Sequence, residues 1–209
     1  AGSPIAEEAV ELPPARSAVE TDEADRGAAS SFEPASHEIV VQLMGGVRVT
    51  DRAGQDASFE RSKTIELIAW LATHRSRATR TGARTALWEL DVRDATFANV
   101  VSEARRGLGR LVEPPDGDEW LARTLNESLP LHELVVTDAE LIAERVEAAR
   151  AAAPDEAVDI LRPAVESIRD LPFAGTNYLW PDSDGITSDL VLLAMTATSE
   201  LAAHAYAQE

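Results

Sequence analysis

Polar side chains recur at helical spacing in the stretch "ATFANVVSEARRGLGR", residues 95–110. On a helical wheel Asn99, Ser102, Arg106 and Arg110 share one side, and the apolar residues of the stretch share the other. Arginine can donate two parallel hydrogen bonds to guanine, and asparagine can pair with adenine in a similar way. This spacing predicts a helix that carries base-reading side chains into the major groove of DNA. The competing interpretation is a solvated helix face.

The stretch lies in a basic block of an otherwise acidic chain. The net charge is −18, yet residues 61–112 contain ten basic and five acidic residues. The other basic candidates for DNA contact in this block are Lys63, Arg75, Arg77, Arg80, Arg84 and Arg105. Such clusters are typical of phosphate contacts, which position a protein on DNA without reading its sequence. The alternative is a basic rim that balances the acidic remainder of the chain.

Motifs for catalysis and for metal binding are missing. The chain has no cysteine, which excludes disulfides and thiol catalysis and fits a reducing cytoplasm. Its four histidines lack metal-ligand spacing, and "DSDG" (182–185) lacks the remaining ligands of a calcium loop. No nucleotide-binding or nucleophile motif occurs, and no apolar run approaches the roughly 20 residues of a membrane span. We therefore predict a cytoplasmic protein without enzymatic activity, cofactor, metal or membrane contact.

Three regions follow from composition and periodicity. Residues 1–36 are acidic and lack a periodic apolar pattern, so they predict a disordered linker. In residues 37–134 we predict two strands around Gly45-Gly46, a short third strand in 57–62, helices over 62–74, 79–90 and 95–111, and a hairpin over 120–134. Strands, three helices and a closing hairpin predict an α+β winged helix-turn-helix, in which the hairpin is the wing.

Residues 135–209 have a helical period throughout. Thr137 and Glu140 form a predicted capping box, and Pro154 suits the first turn of the next helix. Pro163 predicts a kink or break near Arg162. A loop with inward-packed aromatic residues and a long last helix complete an all-α domain, for which the pattern alone supports an array of helical hairpins. We expect this domain to be truncated, because the chain has the character of an excised fragment without an initiator Met.

An ordered series of motifs resembles one protein family. "LMGGVRV", Lys63, "LIAWLATH", "ALWEL" and "FANVVSEARRGL" resemble the DNA-binding domain of the Streptomyces antibiotic regulatory protein family. "VVTDAELIAERVEAARAA" and "DEAVDILRPAVESIRDLPFAGTNYLW" are similar to the bacterial transcriptional activator domain of that family. The resemblance implies a winged helix followed by a tetratricopeptide-like domain. It also implies promoter binding, often at direct repeats with pairing on DNA, and contact with RNA polymerase.

Two acidic residues depart from the family pattern. Glu103 stands where the family usually carries a base, and the wing turn at Asn126-Glu127 lacks the expected glycine and tyrosine. Both changes place negative charge near the expected position of DNA phosphates. Two hypotheses therefore stay open. The first is a regulator that binds double-stranded promoter DNA, and the second is a protein–protein interaction module whose winged helix no longer binds DNA.

Overall fold

The computed structural model describes residues 32–208. The predicted linker lies mostly outside these residues, and its last part, 32–36, has neither helix nor strand. The elements, in chain order, are β1 Ile39–Gln42, β2 Arg48–Asp51, α1 Ser62–Thr73, α2 Arg80–Leu87, α3 Asp94–Leu111, β3 Val135–Thr137, α4 Asp138–Ala151, α5 Pro154–Ser167, α6 Trp180–Ser183 and α7 Ile186–Tyr206.

The sheet has the strand order β2-β1-β3, with β1 antiparallel to β2 and parallel to β3. Ile39 and Val41 alternate inward along β1, which confirms the predicted strand. The predicted third strand over 57–62 is wrong, because the described chain makes only an isolated bridge between Thr50 and Asp56 there. After that bridge the chain leaves the sheet and runs to α3, where Glu103 binds its backbone amides.

The three helices of the basic block form as predicted, with corrections at their ends. Leu67 and Leu71 bury the inner face of α1. Ser62 is the first helical residue of α1, and the N-cap position belongs to Arg61. Thr79 caps α2 by accepting a hydrogen bond from the Gly82 amide at 3.0 Å.

Helix α2 ends three residues before its predicted end. Its last residue is Leu87, whose carbonyl oxygen accepts a hydrogen bond from Lys63 Nζ at 2.5 Å. Leu90, the last residue of the predicted helix, is 84% exposed. A basic side chain from α1 thus binds the last carbonyl oxygen of α2. The helical periodicity of one segment cannot predict such a contact between helices that are distant in sequence.

The predicted hairpin is present as a short pairing within residues 120–132, called here the hairpin segment. The His132 amide donates to the Trp120 oxygen at 2.9 Å, and the Ala122 amide donates to the Pro130 oxygen at 3.2 Å. Pro130 has no amide hydrogen to continue the ladder, as the sequence predicted. The Leu129 amide also donates to the Ala78 oxygen at 2.8 Å, which ties the segment to the start of α2.

The helical half comprises residues 138–208, in which α4, α5 and α7 pack against one another. The Thr137–Glu140 capping box is confirmed by reciprocal hydrogen bonds at 3.0 and 2.6 Å. The predicted break at Pro163 is wrong, because α5 continues to Ser167. Pro163 and Asp159, whose carbonyl loses its helical partner, both lie on the exposed side. Water can satisfy that oxygen there, so the proline is tolerated.

The helical half is joined to the α/β half, residues 37–137, through one hydrophobic core. The Asp138 carboxylate accepts hydrogen bonds from the amides of Leu43 and Met44, both at 2.9 Å. The Phe173 amide donates to the Leu43 oxygen at 3.0 Å, and the Ala174 amide donates to the Gly45 oxygen at 2.9 Å. The turn between β1 and β2 is thus fastened to the helical half at two places.

Helix α7 corrects the prediction that no apolar run approaches the length of a membrane span. Among residues 32–208 it is the one helix whose length and hydropathy suffice for a membrane span, and 11% of its most apolar window is buried. Core helices of soluble proteins meet the same criteria, so length and composition alone do not assign it to a membrane. Its outward side nevertheless includes Leu192 and Met195, which are 60% and 61% exposed.

Candidate nucleic-acid interface

The solvent side of α3 is a stripe of small and basic residues. Asn99, Arg106 and Arg110 are exposed, and Ser102 is half-buried. The remaining exposed positions between 95 and 110 are Ala95, Thr96, Ala98 and Gly109. Short side chains allow a helix to approach base edges closely, and no carboxylate is exposed in this span. Asn and Arg side chains on such a stripe could present hydrogen-bond donors to base edges in a major groove.

Glu103 is not part of this stripe, which corrects the interpretation drawn from the sequence. Its side chain is 2% exposed and accepts hydrogen bonds from the amides of Glu60 and Arg61 at 2.6 and 3.0 Å. The Arg61 guanidinium adds an ion pair at 2.5 Å. Burial alone would raise the pKa of Glu103, but the donors of Arg61 and Glu60 together hold it below its ordinary value. The carboxylate fixes the start of α1 and adds no negative charge to the outer face of α3.

Arg105 joins α3 to the hairpin segment. Its Nε donates to the Leu121 oxygen and one terminal nitrogen donates to the Ala122 oxygen, both at 2.8 Å. Burial lowers the pKa of Arg105, with the nearby Glu119 opposing that shift. Because its donors are engaged with two backbone carbonyls, this arginine positions the hairpin segment beside the stripe.

Lys63 and Arg84 also have partners inside the protein. Lys63 lies 2.7 Å from Glu66, in addition to its bond to Leu87 at the end of α2. Arg84 contacts Asp94 at 2.5 Å and the Val92 oxygen at 2.6 Å. Together they shape the connection between α2 and α3. Lys63 and Arg84, which the sequence offered as phosphate contacts, therefore help to orient α3.

Arg75 and Arg77 face the helical half. Arg75 donates to the Val135 oxygen and lies 3.3 Å from Glu140. Arg77 is 67% exposed and lies 3.9 Å from Asp184. The sequence grouped both with the DNA-contacting arginines because it could not show on which side of the 3₁₀ turn at residues 75–77 their partners lie.

The acidic residue of the hairpin turn has a local role. Glu127 accepts hydrogen bonds from the amide and the hydroxyl of Thr81, at 3.1 and 2.7 Å, in the first turn of α2. These bonds hold the pKa of Glu127 below its usual range. The Arg80 amide donates to the backbone carbonyl oxygen of Glu127 at 2.8 Å, and Arg80 Nε donates to the backbone carbonyl oxygen of Asn126 at 3.4 Å. Glu127 thus fixes the turn against α2, with Arg80 half-buried beside it.

Two exposed arginines beside the stripe escaped sequence reasoning. Arg93 directly precedes α3, and the Arg123 side chain, on the hairpin segment, is 76% exposed and 3.0 Å from Glu119. A basic residue at the start of a predicted recognition helix was a usable signal for Arg93. Arg123 had none, because its placement depends on the long-range contact made by Arg105.

Comparison with known proteins identifies a shared fold. No family model matches the chain, and no curated protein matches its sequence. A solved structure of Mycobacterium tuberculosis EmbR in complex with a low affinity phosphopeptide is similar, with a TM-score of 0.63 and 21% identity. The similarity covers 80% of this chain and 45% of the EmbR chain, so this chain spans less than half of that protein's length. A small sheet with three helices, followed by further helices, is therefore a fold that this chain shares with EmbR.

Proposed function

We propose that the chain is a transcription regulator that binds double-stranded DNA through α3, with the hairpin segment as the wing. The exposed stripe of α3 is the observation that carries the proposal. Residues 95–110 expose no carboxylate, and Asp94 at the first position of the helix is paired with Arg84. Asn99 and Arg106 supply base-reading groups, and Ser102, Arg110 and the half-buried Arg80 supply further polar contacts. The fold shared with EmbR is compatible with a regulator of the family that the sequence resembles.

The remaining sequence-predicted contacts take other roles in this proposal. Lys63, Arg75, Arg84 and Arg105 orient the elements around α3, because their donors are engaged within the protein. Arg77 lies near Asp184 at the boundary with the helical half, and this proposal gives it no contact with DNA.

The helical half is the proposed protein-binding part of the regulator. It carries most of the acidic residues of residues 113–209, a region with twenty acidic residues and five arginines. Such a surface repels DNA and favours protein partners. RNA polymerase is the partner implied by the family resemblance, with two chains pairing on direct repeats in the cytoplasm. The tetratricopeptide-like character of α4, α5 and α7 is part of the same proposal.

The test begins with selection of bound sequences from a random pool of double-stranded oligonucleotides. Fluorescence anisotropy then measures affinity for a selected duplex and for its scrambled counterpart over a salt series. We expect log affinity to fall linearly with log salt concentration. Replacing both Asn99 and Arg106 by Ala removes two base contacts, so we expect a loss of about tenfold or more on the selected duplex. The loss on the scrambled duplex is expected to be smaller.

Two control variants separate base contact from structure. Arg162→Ala removes an exposed arginine from α5 and is expected to leave the affinity unchanged. Arg105→Ala is expected to lower the free energy of unfolding, because it removes the link between α3 and the hairpin segment. Failure to select any sequence, or equal affinity of the Asn99/Arg106 double variant and the wild type, would overturn the proposal in favour of a protein-interaction module.

A further inference from the structure

An open cleft of about 1250 Å³ lies where the segment between α2 and α3 faces the segment around α6. It is large enough for a drug-sized molecule. One wall is formed by α1 and α2 of the α/β half, and the opposite wall by residues of 177–184 from the helical half. The proposed DNA-binding stripe does not contribute to this cleft.

Aromatic and exposed aliphatic side chains dominate the cleft. Three of the four tryptophans of the chain, Trp70, Trp88 and Trp180, line it. Leu90 and Leu179 also line it, and they are 84% and 64% exposed. Contact of such large apolar groups with water is unfavourable, and an apolar ligand in the cleft would relieve it. Trp88 is half-buried and can offer part of its ring to an aromatic ligand, whereas Trp70 and Trp180 are 4% and 2% exposed and contribute little accessible surface.

The charge of the lining favours a cation. Glu66, Glu89, Asp91 and Asp184 contribute four carboxylates, against Lys63 and Arg77 as the lysine and arginine of the lining. The basic side chains in and behind the cleft already have carboxylate partners. Lys63 is 2.7 Å from Glu66, Arg77 is 3.9 Å from Asp184, and Arg84 behind the cleft is 3.2 Å from Asp91. Among residues 32–208, Glu89 has no ion-pair partner, and it is exposed.

We propose that this cleft binds a small aromatic molecule that carries one positive charge. Its ring would lie against Trp88 and the two exposed leucines, and its cationic group would meet the Glu89 carboxylate. An anionic ligand of the same shape would face the excess carboxylates.

The position of the cleft gives the ligand a route to α3. Residues 88–92 are consecutive lining residues, and only Arg93 separates them from Asp94, where α3 begins. A bound molecule would contact the segment that fixes the start of the proposed recognition helix. We therefore propose that occupancy changes DNA affinity, a second step that rests on the proposed function.

Binding is tested on the full chain without DNA, so that its failure is separate from a failure of DNA binding. The probes are 2-naphthylmethylammonium, the neutral 2-naphthalenemethanol and the anion 2-naphthoate, which share one ring system. Their binding is followed by the four indole N–H signals of ¹⁵N-labelled protein. We expect the ammonium compound to shift the signals of Trp70, Trp88 and Trp180. The signal of Trp120, whose Nε1 donates to the Val112 oxygen at 2.7 Å outside the cleft, is expected to stay in place.

The ammonium compound should bind at least about tenfold more tightly than the naphthoate, since the unpaired carboxylate attracts one and repels the other. Glu89→Gln should bring the two affinities closer together. Leu90→Ser combined with Leu179→Ser should weaken all three probes. The matched control Leu171→Ser removes a leucine that is 70% exposed elsewhere, and it should change nothing.

Absence of shifts at millimolar probe, equal affinity for cation and anion, or shifts as large at Trp120 would overturn the cleft as a cation site. If the cation binds as expected, saturating amounts should change the affinity for the selected duplex by several-fold. An unchanged DNA affinity would overturn the regulatory step. If the chain selects no DNA sequence, the regulatory step is overturned together with the proposed function, while the ligand site is judged by the titration alone.

Discussion

A single carboxylate, Glu103, decides how the basic helix is interpreted. Sequence reasoning placed its charge near the expected DNA phosphates, because the family resemblance puts a basic residue at this position. The segment 57–61 covers this position, and its amides turn toward Glu103. The residue that argued most strongly against DNA binding is therefore a buried anchor. The sequence shows that a carboxylate is present at this position. Only its burial shows that it stabilises the fold and does not repel DNA.

Glu103→Lys is the decisive substitution at this scale. If Glu103 faced DNA, a lysine would strengthen binding. Because its carboxylate is buried and receives three donors, we instead expect the free energy of unfolding to fall by about 3 kcal/mol, with no gain in DNA affinity. Urea unfolding and anisotropy measure the two effects. A variant that is as stable as the wild type and binds DNA more tightly would contradict the structure.

The same carboxylate gives a pH dependence with a definite sign. Its pKa in the folded chain lies below the ordinary value of 4.5, so the unfolded chain binds its proton first as pH falls. The stabilisation is fully present above that ordinary value and is lost as pH falls through the folded value. The stability difference between wild type and Glu103→Gln should therefore shrink between pH 7 and about pH 3.5. A difference that stays constant over this range would contradict the role given to the ionised carboxylate.

At the scale of elements, α3 contains two glycines with different environments. The sequence indicates only that Gly107 and Gly109 weaken the last turn. A Cβ built on Gly107 would lie 2.2 Å from the Phe59 ring, whereas a Cβ on Gly109 meets no atom within 4 Å. Gly107 thus permits the segment 57–61 to lie close to α3, and Gly109 has no packing role. The two positions form a matched pair within one helix.

Gly109→Ala should stabilise the protein by up to about 1 kcal/mol, because alanine favours the helix and nothing opposes it. Gly107→Ala gains the same propensity but displaces Phe59, so we expect a net loss of about 1 kcal/mol. Chemical unfolding of the two variants measures the contrast. Equal stabilisation by both substitutions would show that Phe59 does not pack on Gly107 in solution.

Local signals predicted elements well, and contacts between distant elements account for the failures. The capping box at Thr137 and the extent of α3 depend on neighbouring residues, and both agree with the sequence. The end of α2 depends on Lys63, and the tolerance of Pro163 depends on which side of α5 faces water. The candidate site divides in the same way. The polar face of α3 was predictable from its period, whereas the internal partners of Arg75, Arg84 and Arg105 were not.

At the scale of the whole molecule, the charges are divided between parts with different tasks. The stripe of α3 is free of exposed carboxylates, while residues 113–209 contain twenty acidic residues. The two halves share one core, so the acidic half cannot be separated from the stripe by a simple hinge at their junction. If α3 binds DNA as proposed, repulsion between the acidic half and the phosphates opposes that binding in every complex. Specific contacts by α3 would then have to exceed the repulsion, which favours discrimination over tight non-specific binding.

Residues 1–31 add to this repulsion, with seven acidic residues and two arginines. Changing those seven acidic residues to Asn or Gln should raise DNA affinity at low salt by several-fold, because each removed charge weakens repulsion by the phosphates. The gain should disappear at high salt, where the Debye length falls to about 3 Å at 1 M. Anisotropy over a salt series measures this gain in affinity. The seven changes are also made in the Asn99/Arg106 double variant, in which selectivity is expected to be lost. A gain that persists at high salt would mean that these residues compete for the stripe by direct contact. An unchanged affinity at every salt concentration would mean that the stripe lies beyond the reach of their charge.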